Sequence, residues 1–264
     1  MNCLLKLFTM LTDGNPDCDG AEELFGFCGE TPVTRKYEQA DLDFIANYFS
    51  SGFNSCALSK PARDLFELSV NAFYSLVHAW MSESPIEKEI VRFGRKVIAA
   101  AQIAAAQVAG NQEEKRRIAE RAASDRVDND TLAVLTASEK VQYEIHRMMG
   151  LLRFFPDEDG VYIARCAPDT LVIPALGEYF TARFGETAWA VFDEKRGITL
   201  RRLPGEQAKI LVHEEILTVN GDCGDEWEDL WRHYHKTINN EDRKNPNLQR
   251  RLMPKRYWKY LPEM

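Results

Sequence analysis

The apolar residues of this chain change rhythm near residue 150, and that change limits the available folds more than any other feature. Ahead of it they recur every three or four residues, which lines them up on one face of a helix. Cys3, Leu4, Leu7, Phe8 and Leu11 keep that spacing until Asp13-Gly14-Asn15-Pro16 breaks it. Leu42, Ile45, Ala46 and Phe49 resume it. Ser59-Lys60-Pro61 is a helix start, with a Ser cap and a Pro in the first turn, and Leu65, Leu68, Phe73, Leu76, Val77 and Trp80 follow as one stripe. Ser84-Pro85 opens another helix in the same way, carrying Ile90, Phe93, Val97 and Ile98 and then an Ala-rich run from Ala99 to Ala109. Gln112 to Arg126 is highly charged and reads as an exposed helix or a linker. Asp130 caps a last helix with Leu132, Leu135, Val141, Ile145 and Met148, and Gly150 ends it.

Beyond Gly150 the segments are short and separated by turn signals. Leu151 to Phe155 and Val161 to Ala167 flank Pro156-Asp157-Glu158-Asp159-Gly160, a hairpin pattern. Val172 to Phe184 reads as a short helix with Pro174 near its start. Trp189 to Asp193 and Ile198 to Leu203 form a second hairpin around Lys195-Arg196-Gly197, and Lys209 to His213 adds a strand. Asp225 opens a helix whose stripe, Trp227, Leu230, Trp231, Tyr234 and Ile238, reads as core. The expected fold is α+β, with a helical region over 1–150 and a small antiparallel sheet with flanking helices over 151–264, or one integrated domain.

At 264 residues and 45% hydrophobic content the chain can bury a sizeable core. No run of about 18 apolar residues is present, so no membrane span is expected. Met1 to Leu11 lacks the basic start and small-residue cleavage site of a signal peptide. Cys3, Cys18, Cys28, Cys56, Cys166 and Cys223 are scattered without a C-x-x-C pair. They read as ordinary thiols in a reducing cytoplasm, with no zinc spacing and no disulfide framework.

Charge is unevenly placed. The chain carries −8, yet Arg243 to Pro262 carries seven bases and no acid, which leaves −15 on the rest. Such a segment suits an anionic partner. Arg250, Arg251, Lys255, Arg256 and Lys259 are candidate phosphate contacts, and Tyr257 and Trp258 candidate stacking faces, alongside Tyr260. Pro246, Pro254 and Pro262 divide the stretch, so it is not one long basic helix. Leu248, Leu252, Trp258 and Leu261 are candidates for anchoring it to the core.

No Walker A pattern, nucleophile elbow, dinucleotide fingerprint or zincin motif occurs, and no cofactor or metal is implied. The candidates for chemistry are isolated: His146 as an acid–base group beside Arg147 as a phosphate ligand, Asp169 after one strand and Asp193 at the end of another. His233 and His235, two apart on a helix, point to different faces and are no metal pair.

The string from Arg243 to Glu263, with Lys244-Asn245-Pro246, Leu248-Gln249, Met253-Pro254-Lys255-Arg256-Tyr257-Trp258-Lys259 and Leu261-Pro262-Glu263, resembles the end of domain-of-unknown-function family 4130. His146-Arg147, Gly150 to Phe154, Pro168-Asp169, Pro174-Ala175-Leu176, Trp189 to Gly197 and Leu230-Trp231 extend the resemblance over about 146–264. Members are labelled DNA-metabolism or DNA-repair proteins, occur with a radical S-adenosylmethionine partner, and are in places fused to a uracil-DNA glycosylase-like domain. The resemblance therefore implies a DNA-binding repair protein working with a radical enzyme. Two other readings stand beside it: an enzyme acting on an extruded base, and an interaction module with no direct DNA role. This chain has Phe192 where many relatives carry His. Relatives also begin with a short strand and a Tyr-Asp-Gly turn, so a Met1 inside the first helix implies a late start or a truncated chain.

Overall fold

The structure is a computed structural model that describes residues 3–12, 37–107, 111–213, 225–240 and 244–263. The sequence's Asp13 to Pro16 break and the thiols of Cys18, Cys28 and Cys223 lie outside the described residues. The chain divides into two compact units, Met1–Tyr143 and Glu144–Met264. The division falls within a helix, a few residues before the expected boundary near 150.

Unit 1 is helical. Its elements are α1 (Cys3–Met10), α2 (Gln39–Tyr48), a 3-10 turn at Ser55–Ala57, α3 (Lys60–Leu68), α4 (Val70–Met81), α5 (Glu87–Gln107), α6 (Gln112–Ala123) and the first part of α7 (Asn129–Leu151). Phe8 and Phe73 stack at 5.4 Å in its core, near the fully buried Leu7, Leu42, Ile45 and Leu76. The buried Asp41 carboxylate accepts the Leu4 N–H at 2.9 Å and so satisfies an open donor in the first turns of α1.

The stripe expected as one helix from Ser59 to Trp80 is two. Ser69 leaves helical geometry and its hydroxyl caps α4, accepting from the Ala72 N–H at 2.9 Å. Ser59 does precede α3, but its hydroxyl makes no capping bond. The cap of α7 is likewise Asp128 and not Asp130. The Asp128 carboxylate accepts the Thr131 N–H at 2.8 Å and the Thr131 hydroxyl at 2.7 Å. These bonds hold its carboxyl below the usual range, with Lys96 adding to the effect. The buried row of α7 is accordingly Val134, Ala137, Val141, Ile145 and Met148, while Leu132 is 40% exposed. The charged stretch expected as helix or linker is the helix α6, buried along Ala119 and Ala123.

Unit 2 holds a five-stranded sheet in the order β1 (Phe155–Pro156), β2 (Tyr162–Cys166), β3 (Trp189–Asp193), β4 (Ile198–Arg202), β5 (Lys209–Val212). Three ladders are antiparallel, as the hairpin signals require, and β2 runs parallel to β3. The sheet is therefore mixed. A 3-10 turn (Ile173–Leu176) and α8 (Gly177–Phe184) carry the chain across between the two parallel strands. Residues of β3 are buried without alternation, as a strand covered on both faces must be. Gly197 takes φ +63° in the β3–β4 hairpin, and Gly185 takes φ +57° where α8 ends.

The helix expected from Asp225 is α9 (Asp225–Ile238), but three residues of its stripe are exposed and not core. Leu230 is 59%, Tyr234 50% and Ile238 59% exposed. Trp231 is drawn in, donating its indole N–H to Glu263 at 2.9 Å beneath the Arg153 guanidinium, and the Trp227 side chain lies outside the described residues. α10 (Pro246–Leu252) and a 3-10 helix (Lys255–Tyr260) follow. No helix among the described residues is long and apolar enough to cross a membrane.

Candidate nucleic-acid interface

Parallel pairing sets Cys166 opposite Asp193, so the chain leaves β2 and β3 at the same edge of the sheet. The Asp193 carboxylate is fully buried. It accepts the Lys195 N–H at 2.9 Å and the Arg196 guanidinium at 2.8 Å. Arg196 also donates to the carbonyls of Pro168 at 3.1 Å and Asp169 at 3.0 Å, which ties the two loops together. Burial and the neighbouring Asp193 charge push the Cys166 thiol up, so it stays protonated.

Glu144 is the anchor of the edge. Its side chain, 3% exposed, accepts the Asp169 N–H at 3.0 Å, the Thr170 N–H at 2.8 Å, the Thr170 hydroxyl at 2.6 Å and the Tyr257 hydroxyl. Burial raises this carboxyl, but the bonds from Thr170, Tyr257 and the two backbone amides outweigh it and hold the group below the usual carboxylate range. Tyr257 is buried, and that burial together with the Glu144 carboxylate beside it pushes its phenol well up.

The C-terminal segment thus lies on a row of acids. Arg256 pairs with Asp169 at 2.7 Å and lies over the Tyr257 ring. Glu194 receives Lys259 at 3.3 Å, the Tyr260 hydroxyl at 2.6 Å and Arg165 at 2.5 Å. Its own burial is outweighed by these partners, which lower its carboxyl. Arg153 and Trp231 hold Glu263.

This separates the candidate phosphate ligands into two sets. Arg256 and Lys259 are spent on the protein's own carboxylates. Arg250, Arg251 and Lys255 are exposed and form no ion pair among the described residues. Arg250 curls back onto the Pro246 carbonyl at 3.1 Å and the Asn247 side chain at 2.7 Å, and Lys255 sits over the Trp258 ring at 5.8 Å. Trp258 is half-buried, its indole N–H fixed on the Met253 carbonyl at 2.8 Å. Of the two aromatic candidates, Tyr257 is enclosed and offers no face to a base. Arg147 is half-buried on α7.

The three candidates for chemistry are not assembled. Asp193 is locked under Arg196, and the Asp169 carboxylate answers Arg256. His146 is exposed on α7, two residues from the buried Glu144 and so on another side of the helix. No hydrogen bond among the described residues joins it to either aspartate. Phe192 is 2% exposed and meets His213 edge-on. Among the described residues no three of His, Cys, Asp and Glu are grouped to hold a metal ion.

Glu144, Thr170, Glu194 and Arg196 went unseen in the sequence. One signal was present for Glu144: it falls between Val141, Ile145 and Met148 on the apolar face of α7, where an acid needs partners.

The features so far define a class: an α+β protein whose basic C-terminal segment is pinned over carboxylates at the edge where two parallel strands end. The model of the domain of unknown function DUF4130 matches residues 103–263, and the chain belongs to that family. No curated protein matches it, and no solved structure matches it.

Proposed function

We propose that this chain is a nucleic-acid-binding protein of DNA repair or DNA metabolism, with Arg250, Arg251 and Lys255 as its phosphate contacts. One observation carries the reading: among the described residues Arg250, Arg251 and Lys255 form no ion pair, although the rest of the chain is net acidic and their neighbours Arg256 and Lys259 are paired. Exposed cations not neutralised by a carboxylate release counterions from the phosphates they meet, and that release drives binding. The acid-anchored segment supplies a rigid mount, because Glu144 and Glu194 hold Tyr257 and Tyr260 while the three cations face outward. A radical S-adenosylmethionine partner belongs to the same proposal and rests on the family resemblance alone.

Fluorescence anisotropy with labelled single-stranded, duplex and base-damaged oligonucleotides at low salt tests the reading. Binding that weakens as salt rises supports it. Absence of binding to every form at 50 mM salt, together with co-purification of a radical enzyme, would move the chain to the interaction-module reading.

A further inference from the structure

We infer that the nucleic acid held by this segment is single-stranded, with one base stacked on Trp258. The inference rests on the nucleic-acid reading above and adds the form of the ligand.

In a 3-10 helix, side chains three apart stand in one row. Lys255 and Trp258 are such a pair, and the Lys255 ammonium lies over the indole at 5.8 Å. The ring cannot swing freely, because its N–H is held by the Met253 carbonyl at 2.8 Å. That carbonyl ends α10, whose last turn carries Arg250 and Arg251. A fixed, half-buried indole therefore carries Lys255 over its ring and is tied to the end of the helix that bears Arg250 and Arg251, and among the described residues none of the three cations forms an ion pair.

That combination fits unstacked bases. A backbone-tracking set of cations with an aromatic face between them binds single strands, since each base has a face to offer once it leaves a duplex. Lys255 marks the place a base would take. An exposed cation–π contact is weak, and a stacked base replaces it at a gain while the freed ammonium moves to a phosphate. A duplex finds less here. α10 has only seven residues and Pro254 follows it closely, so it offers little helix to a major groove.

The experiment compares wild type and Trp258→Leu against oligo-dT, the same length of duplex, and an oligonucleotide of equal charge whose central positions are abasic. Leucine keeps apolar packing and removes the stacking face. The expected result is an affinity for oligo-dT on the order of 10- to 100-fold above that for the abasic strand. Trp258→Leu removes that difference and leaves the salt slope unchanged. The abasic strand tests the point on unaltered protein, so a misfolded variant does not blunt it. If oligo-dT, abasic strand and duplex bind alike and all depend on salt, the single-strand inference fails while the nucleic-acid reading stands. If none binds, both fail.

Discussion

Removing the Tyr257 hydroxyl isolates the contact that seats the C-terminal segment. In Tyr257→Phe the ring keeps its buried place, and Glu144 loses one of four donors. The void is a single oxygen between two buried side chains, so the carboxylate goes short of a bond. A hydrogen bond to a charged group contributes about 1.5–3 kcal/mol. About 2 kcal/mol corresponds to a factor of roughly 30 in the equilibrium for opening the segment. Hydrogen exchange reads this directly through the Tyr257 and Leu261 amides, which donate to Pro254 and Trp258. After normalisation for intrinsic rates, both should exchange roughly 30-fold faster in the variant. The same contact has a pH signature. The folded Glu144 carboxyl lies below its unfolded value, so its contribution is complete above the unfolded value and is lost as pH falls through the folded one. Protection of these amides in wild type should therefore drop in acid, and drop less in Tyr257→Phe. Unchanged exchange in the variant at neutral pH would refute the claim that Glu144 seats the tail.

Other perturbations bear on the rest of the structure. Arg196→Ala strips the buried Asp193 of its guanidinium, takes a donor from the Pro168 carbonyl and leaves the Asp169 carbonyl to Lys195, and should cost on the order of 3–5 kcal/mol in urea unfolding. Gly185→Ala meets no neighbour at Cβ, so its cost comes from φ +57° alone and should be about 1–3 kcal/mol of stability. His78, fully buried in unit 1, has its imidazole pushed down to about 3 by burial. Below pH 6.5 the unfolded state takes up a proton that the folded state refuses, so stability should fall by about 1.4 kcal/mol per pH unit on the way down. His78→Leu should remove that slope between pH 6.5 and 5, as seen in urea midpoints at the two ends.

Much of the fold could be read from residue spacing, because helical period and turn residues are local properties. Elements escaped the reading where local signals compete. Ser69 sits inside an unbroken apolar stripe, and only its capping bond shows that two helices meet there. Asp128 and Asp130 are equal as candidate caps until Thr131 chooses between them. The parallel pairing of β2 with β3 depends on where the chain returns after α8, and no residue spacing records that. On α9 the period of Leu230, Tyr234 and Ile238 reports an amphipathic helix, but not that this face meets solvent. The candidate site divides in the same way. Charge clustering points to the C-terminal segment, yet which cations are spent depends on Glu144, Asp169 and Glu194, which stand 65 residues or more ahead of the cations they pair with. Tyr257 and Trp258 are adjacent and chemically alike, but one is enclosed and the other half open.

The most direct test of the central claim is the salt dependence of oligonucleotide binding in Arg250→Ala/Arg251→Ala/Lys255→Ala. On a single strand each lost phosphate contact lowers the slope of log K against log salt by about 0.7, so three should lower it by about 2. That slope change corresponds to roughly 20-fold less sensitivity between 50 and 200 mM salt. A triple variant that binds with the slope and affinity of wild type would contradict the claim.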